Sequence, residues 1–304
     1  MIDRYELSGV TWVDLENPDA DEIAELGKEF NIGPVLAEEL LSPTAKPRVD
    51  VYAESTYAVF HFPALRHTRK KSRSQEIDII LGKKFLITVH YEPLEAITEF
   101  KRACEAEELV GKHKGTFHVG HILFELAERL YHESEYELAA LEDTVSNIEE
   151  RIFSGEEKEM VLAISQATRE LLEHKRVLGA HSQTLETLEK VGIPLLGDDM
   201  RNYFHGMASL HYRVLNHAHV MSDMIDELRE TNMAMLSTRQ NEVMKNLTIM
   251  AFVTFPLTLI AGIFGMNTIN APIVGSPHDF YLILGGMAAL TISFFAYFKL
   301  KNWF

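Results

Sequence analysis

Cysteine is nearly absent: Cys104 is the single one in 304 residues. An internal disulfide framework is therefore excluded, no Cys-x-x-Cys pair offers a zinc site, and a reducing compartment is expected. The first residues, MIDRYELSGV, lack the apolar core of a signal peptide, so nothing there is expected to direct export. Basic residues are also scarce, 29 Lys and Arg against 45 Asp and Glu, for a formal net charge of −16. That balance argues against nucleic acid, which requires basic patches, and favours cations as partners. No Gly-x-Ser-x-Gly, phosphate-cradling glycine loop or metal-hydrolase motif occurs, so no enzyme is read from the chain.

Long apolar runs are missing until the C-terminal region, where there are two. NLTIMAFVTFPLTLIAGIFGM, 246–266, and FYLILGGMAALTISFFAYF, 280–298, carry no charge. Each spans roughly 30 Å as a helix, the thickness of a bilayer's hydrocarbon core. Arg239 and Lys245 precede the first run, Lys299 and Lys301 follow the second, and the loop 267–279 has no Lys or Arg. The positive-inside rule then places both ends in the cytoplasm and the loop outside, in a multi-pass protein of the cell membrane. Trp303 and Phe304 are suited to anchor the last turn at the interface.

Upstream, GVTWVDL, RVDVYAESTYAVFHFPAL and SQEIDIILGKKFLITVHY read as strands, with short helices around them, giving a cytosolic α/β domain over 1–108. Residues 109–206 read as a long-helix hairpin with an acidic tip at Glu156 and Glu157, closed by a turn from Gly192 to Asp199. A stalk helix, 207–245, leads into the first span. Pro256 is a breaker that a membrane helix tolerates, so Met207 to Met266 is expected as one helix of roughly 90 Å. A basic segment, 299–304, ends the chain.

Two spans cannot enclose a hydrophilic path, so the chain either anchors a cytosolic domain or assembles around a shared axis. Steps of four and three residues back from Gly262 give Thr258, Phe255, Ala251, Thr248, Met244, Asn241, Ser237, Ala234, Glu230, Glu227 and Asp223. Such spacing points one face steadily at a bundle axis. The order is graded, with acids innermost, then small and amide residues, then Met, Thr, Ala and Phe. It fits a cation path with Asp223, Glu227 and Glu230 as an acidic funnel, although the same acids suit an ordinary solvated face. Ile225, Leu228, Met235, Leu236 and Val243 form the neighbouring packing stripe.

Gly265-Met266-Asn267 at the outer end of the first run, preceded by NEVMKNLTIMAFVTFPLTLIAGIF, strongly resembles the CorA family of divalent metal ion transporters. The resemblance implies an α+β membrane protein that assembles as a homopentameric funnel, with the first spans lining the pore. It implies Gly265, Met266 and Asn267 as selectivity filter and Asn241, Met244 and Thr258 as pore lining, Leu247 and Met244 forming a constriction; the stripe itself adds Thr248, Ala251, Phe255 and Gly262 to that lining. Mg²⁺, with Co²⁺ or Ni²⁺ next, is the implied cargo. A ring of Asn267 amides suits a small ion that gives up water reluctantly, because neutral acceptors bind its hydration waters without trapping it.

The chain departs from the family at three places. TINAPIVGSPHDF follows the tripeptide with Asp279 as its one carboxylate, Phe255 stands where Met is common, and His205-Gly206 follows Tyr203-Phe204 where some members carry a regulatory aspartate. Glu92 and Glu95 in HYEPLEAI and Asp198 and Asp199 in GDDM are candidates for another regulatory metal site. The 14 histidines, His278 of the loop among them, and the weakly acidic loop keep a zinc transporter of the same superfamily, with proton coupling, as the alternative. His217 and His219, two apart on a helix, point to opposite sides and are poorly placed to share an ion. A membrane-anchored cytosolic sensor without transport is the remaining reading.

Overall fold

The computed structural model describes residues 2–7, 9–64, 74–110, 118–266, 275, 277–301 and 303. They form two compact units, 1–229 and 230–304.

The first unit is built on a six-stranded sheet: β1 (Ile2–Leu7), β2 (Val10–Glu16), β3 (Arg48–Val51), β4 (Ser55–Pro63), β5 (Ser74–Gly82) and β6 (Phe85–His90), in the order β1-β2-β6-β5-β4-β3. Only β2 and β6 run parallel; every other neighbouring pair is antiparallel. Both faces are covered, which is why the central strands are apolar in nearly every position rather than in every second one. On one face α1 (Ala20–Glu29) and α2 (Pro34–Glu39) pack Ile23, Leu26 and Leu36 against Val13, Leu15, Tyr57, Val59, Ile80, Ile87 and Val89. The first of these helices starts at a capping box, in which Asp19 accepts from the Glu22 amide and Glu22 accepts from the Asp19 amide.

On the opposite face lie α3 (Glu95–Val110), α4 (Val119–Phe153), α5 (Glu157–Gly179) and α6 (His181–Leu196). Phe60, Phe62 and Ile79 of the sheet meet Leu123, Leu126, Leu130 and Tyr131 of α4 there. Trp12 stacks on Tyr5, tilts against Phe100 of α3 and donates its indole N–H to Thr88. The expected hairpin is thus present and joined to the sheet in one unit. Its tip differs: Glu156 is held by Arg151 at 2.5 Å and Glu157 is buried, so the turn around Gly155 presents no pair of free acids. Its returning arm is two helices, interrupted at Ala180. Gly192 stays helical because the chain breaks later, at Gly197 with a φ of 106°, which a residue with a side chain adopts only under strain.

The helix α7 (Met200–Phe264) is 65 residues long and passes Pro256 without interruption. It starts one turn or more before the expected position, since Gly206 does not end it: a Cβ there would lie 2.5 Å from the Phe124 ring, so glycine serves close packing on α4. The second unit holds the end of α7 and α8 (Asp279–Leu300), with Phe252 edge-on to Phe298 and Trp303 stacked on Phe298.

Candidate functional site

Among the described residues α7 and α8 are the two helices long and apolar enough to cross a membrane. In the second unit their apolar side chains find almost no cover within the chain. Met244, Leu247, Phe255, Leu259 and Ile263 of α7 and Phe280, Leu282 and Ile292 of α8 are all exposed. A face of this kind requires lipid or further copies of the helix as its solvent.

Within the first unit α7 has a buried seam, Phe204, Met207, His211, Val214, Ala218, Met221, Ile225 and Leu228, advancing by threes and fours. Asp223 and Glu227 lie two residues to either side of Ile225 and are exposed, which puts them roughly opposite that seam at 100° per residue. The expected packing stripe holds at Ile225 and Leu228, is only half-buried at Met235 and Leu236, and is exposed at Val243.

Glu230, Asn241, Met244, Leu247, Phe255, Thr258 and Gly262 are also exposed, and Thr248 and Ala251 are partly covered. Thr248 and Thr258 return their hydroxyls to carbonyls one turn back, Met244 O at 2.8 Å and Thr254 O at 2.9 Å. This satisfies the donor while leaving oxygen lone pairs outward. After Phe264 the chain turns, with the Gly265 amide donating to Ala261 O at 2.9 Å and Met266 to Ile263 O at 3.3 Å. A Cβ at Gly265 would sit 2.8 Å from the Ala261 carbonyl oxygen, closer than a side chain permits, so the turn requires glycine. Asn267 and Phe304 lie outside the described residues.

The four acids read as a regulatory set are not gathered together. Glu92 follows β6 and its carbonyl bonds His90 Nδ1 at 2.7 Å. Asp198 and Asp199 occupy the turn before α7, where Asp198 pairs with Arg201 at 3.2 Å. Glu95 lines a cavity of about 650 Å³ with Glu99 of α3, Glu125, Glu128, Glu133 and Glu137 of α4, and the cations Arg129 and Arg213. Burial, then the nearby carboxylates Glu95, Glu99 and Glu137, push Glu133 up to about 7 against a hydrogen bond from the Ala96 backbone. Among the described residues no group of three or more His, Cys, Asp or Glu has the geometry to hold a metal ion. Nor do the histidines of α7 converge: His211 is buried on Leu178 O at 2.8 Å, His217 meets Glu142 at 3.3 Å, and His219 is exposed.

Across the chain, the family described as CorA-like Mg²⁺ transporter protein matches residues 8–300. The chain belongs to the CorA family. It is similar to the cobalt/magnesium transport protein CorA of Thermotoga maritima, 23% identical over 300 residues covering 96% of this chain and 83% of that protein. It is likewise similar to the metal ion transporter YfjQ of Bacillus subtilis, 27% identical over 305 residues covering 100% and 93%. The solved structure of the CorA magnesium transporter of Methanocaldococcus jannaschii superposes with a TM-score of 0.84 at 18% identity, over 97% of this chain and 92% of that one. The CorA fold expected from the Gly-Met-Asn end of α7 is therefore present over nearly the whole length.

Two buried charge clusters in this CorA chain escaped the sequence reading. On the α4 face of the sheet, Asp14 bonds Thr88, Lys101 at 2.7 Å and His90 at 3.2 Å. Burial alone would raise its pKa, but the hydrogen bond and charge of His90, then those of Lys101, hold it below the ordinary carboxylate value. On the α1/α2 face, Glu76 meets His61 at 3.1 Å, and Asp78, two residues on, is pushed up to about 8 by burial and by the Glu76 charge. The available signal was SQEIDIILG: two acids at a spacing of two inside an apolar strand share one face, which for a covered sheet is an interior.

Proposed function

We propose that the chain transports divalent metal cations, Mg²⁺ foremost and Co²⁺ or Ni²⁺ after it, through a homopentameric pore lined by α7. The observation that carries this reading is the exposed, graded stripe of α7, which ends at a turn that only glycine allows, immediately before Asn267. Membership of the CorA family supports it, as does the naming of cobalt and magnesium in relatives matched over nearly their full length.

In this arrangement Asp223, Glu227 and Glu230 attract cations at the cytosolic mouth. Asn241, Thr248, Thr258 and the constriction at Met244 and Leu247 line the path, with Ala251, Phe255 and Gly262 between. Gly265 and Met266 bring the Asn267 amides into a ring at the outer end. Neutral acceptors hold a hydrated ion through its waters, which lets it enter without becoming trapped. The exposed apolar remainder of α7 and α8 faces neighbouring copies and lipid, with both termini cytoplasmic.

Flux through purified protein in liposomes tests the reading, with Mg²⁺, Co²⁺, Ni²⁺ and Zn²⁺ compared with and without a pH gradient. Mg²⁺ flux that falls at least tenfold in Asn267→Ala is expected. Flux unchanged by Asn267→Ala overturns the pore entrance, and proton-dependent Zn²⁺ flux without Mg²⁺ flux overturns the cargo.

A further inference from the structure

The segment 41–47, which joins α2 to β3, is strapped to the sheet through groups that can all lose or gain a proton or depend on one that does. Both Glu76 carboxylate oxygens accept from the Thr44 amide, at 2.8 and 2.9 Å, and Oε1 also accepts from the Thr44 hydroxyl at 3.1 Å. His61 Nε2 lies 3.1 Å from both the Thr44 carbonyl oxygen and Glu76 Oε2. Tyr91 donates its hydroxyl to Asp78 Oδ2 at 2.9 Å and reaches Leu40 O at 3.4 Å. Thus one side-chain cluster, spread over β4, β5 and the residue after β6, holds Leu40, just before the strap, and Thr44 at its middle.

Glu76 and Asp78 face the same way from one strand, and both are buried, Asp78 completely. Two carboxylates so placed cannot both carry charge without a neighbouring cation, and the titratable group nearest Glu76 is His61, 3.1 Å from its Oε2. From the other elements the cluster is faced by Tyr57 of β4 and by Arg48 of β3, whose guanidinium lies 5.5 Å over the Tyr57 ring. That guanidinium is already paired with Glu39 and with Asp50, at 2.9 Å to the latter, so it does not neutralise Asp78. The charge balance closes with a proton on Asp78 and an ionised Glu76 that accepts from His61 Nε2 and from the Thr44 amide and hydroxyl.

We propose that His61, Glu76 and Asp78 form a proton-operated clasp on the strap 41–47, closed while Asp78 is protonated and opened when that proton leaves to solvent. Ionised Asp78 repels Glu76, the more accessible of the two, and Glu76 can relieve the repulsion only by turning outward, releasing the Thr44 amide and hydroxyl. Loss of a His61 proton acts in the same direction, since it weakens the contact that holds Glu76 inward. His61 also anchors the far side of the sheet, where its carbonyl oxygen accepts from His181 Nε2 of α6 at 2.7 Å.

Hydrogen exchange on the full-length chain in lipid nanodiscs, from pH 6.5 to 9 and corrected for intrinsic exchange rates, tests the clasp. The peptide containing Thr44 is expected to lose about tenfold in protection, the equivalent of one pKa unit, while a peptide from β2 stays constant. Asp78→Asn, which keeps the shape and cannot ionise, is expected to flatten the profile. Constant protection at Thr44, an equal loss in β2, or a loss that persists in Asp78→Asn overturns the proposal. Should that variant fail to fold, the native Thr44 and β2 profiles decide it alone.

Discussion

The two units are rich in the same kinds of side chain and treat them in opposite ways. In residues 1–229 Trp12, Val13, Leu15 and Ile80 are 0% exposed, whereas in residues 230–304 Leu247 is 60% and Phe255 72% exposed. The first unit therefore carries its own reason to fold, a core of interdigitated apolar groups on each face of a sheet. The second carries a reason to associate. A substitution that removes the same amount of apolar surface should thus be felt as lost stability in one unit and as lost assembly or flux in the other.

That contrast gives the largest expected effect. Trp12→Ala removes a fully buried indole, its hydrogen bond to Thr88 and its ring contacts with Tyr5 and Phe100, and should destabilise the first unit by about 3–5 kcal/mol. Leu247→Ala should leave its melting temperature unchanged while altering ion flux. Calorimetry and liposome flux on both variants check the pair. A destabilised first unit in Leu247→Ala, or flux lost in a still-folded Trp12→Ala, would break the division.

Next comes the Asp14 cluster, where burial makes charge pairing decisive. Because its folded pKa is depressed, ionised Asp14 adds stability that is present above the ordinary carboxylate range and lost as pH falls through the folded value. Asp14→Asn leaves His90 without its buried counter-charge and Lys101 with Asp3 alone, at 2.6 Å, and should cost up to about 3 kcal/mol at pH 7. The loss should shrink toward pH 3, as followed by denaturant titrations across that range.

The cavity acids give a smaller effect of opposite sign. Glu133 has a raised pKa, so its folded form keeps a proton that the unfolded chain releases, and stability falls as pH climbs from the carboxylate range through about 7. Glu133→Gln removes that slope and should raise stability above pH 7 by at most about 1 kcal/mol, allowing for partial solvent screening. Melting curves at pH 5 and 8 read it: a gain at both pH values would point to packing rather than to charge.

Much of this was legible because the signals were periodic. Two uncharged runs gave the apolar helices, a step of threes and fours gave the exposed face of α7, and clusters of β-branched and aromatic residues bounded by turn residues gave the strands. What failed to show was decided by contacts distant in sequence. Gly206 looks like a helix end until Phe124 of α4 is seen against it. Glu157 looks like a solvated acid at a hairpin tip and is buried. Asp14, Thr88, His90 and Lys101 come from three separate elements, β2, β6 and α3, and no spacing along the chain links them.

The smallest effect concerns Asp279, where sequence and structure assign different work to one carboxylate. As the loop's one acid it could attract cations; in the fold its Oδ2 accepts from the Gly275 amide at 3.1 Å and its Oδ1 from the Phe280 amide at 2.6 Å. It thus serves the N-terminus of α8, where unpaired amides and the helix dipole both favour negative charge. Asp279→Ala should cost about 0.3–1 kcal/mol in the second unit, the usual worth of an acid in a helix's first turn. Asp279→Asn separates the roles, since it keeps the acceptor oxygen and loses the charge. If capping dominates, the Asn variant retains most of the stability and transports ions like the native chain. A Mg²⁺ flux as low in Asn as in Ala, at low ionic strength and recovering with salt, would instead return Asp279 to the ion path.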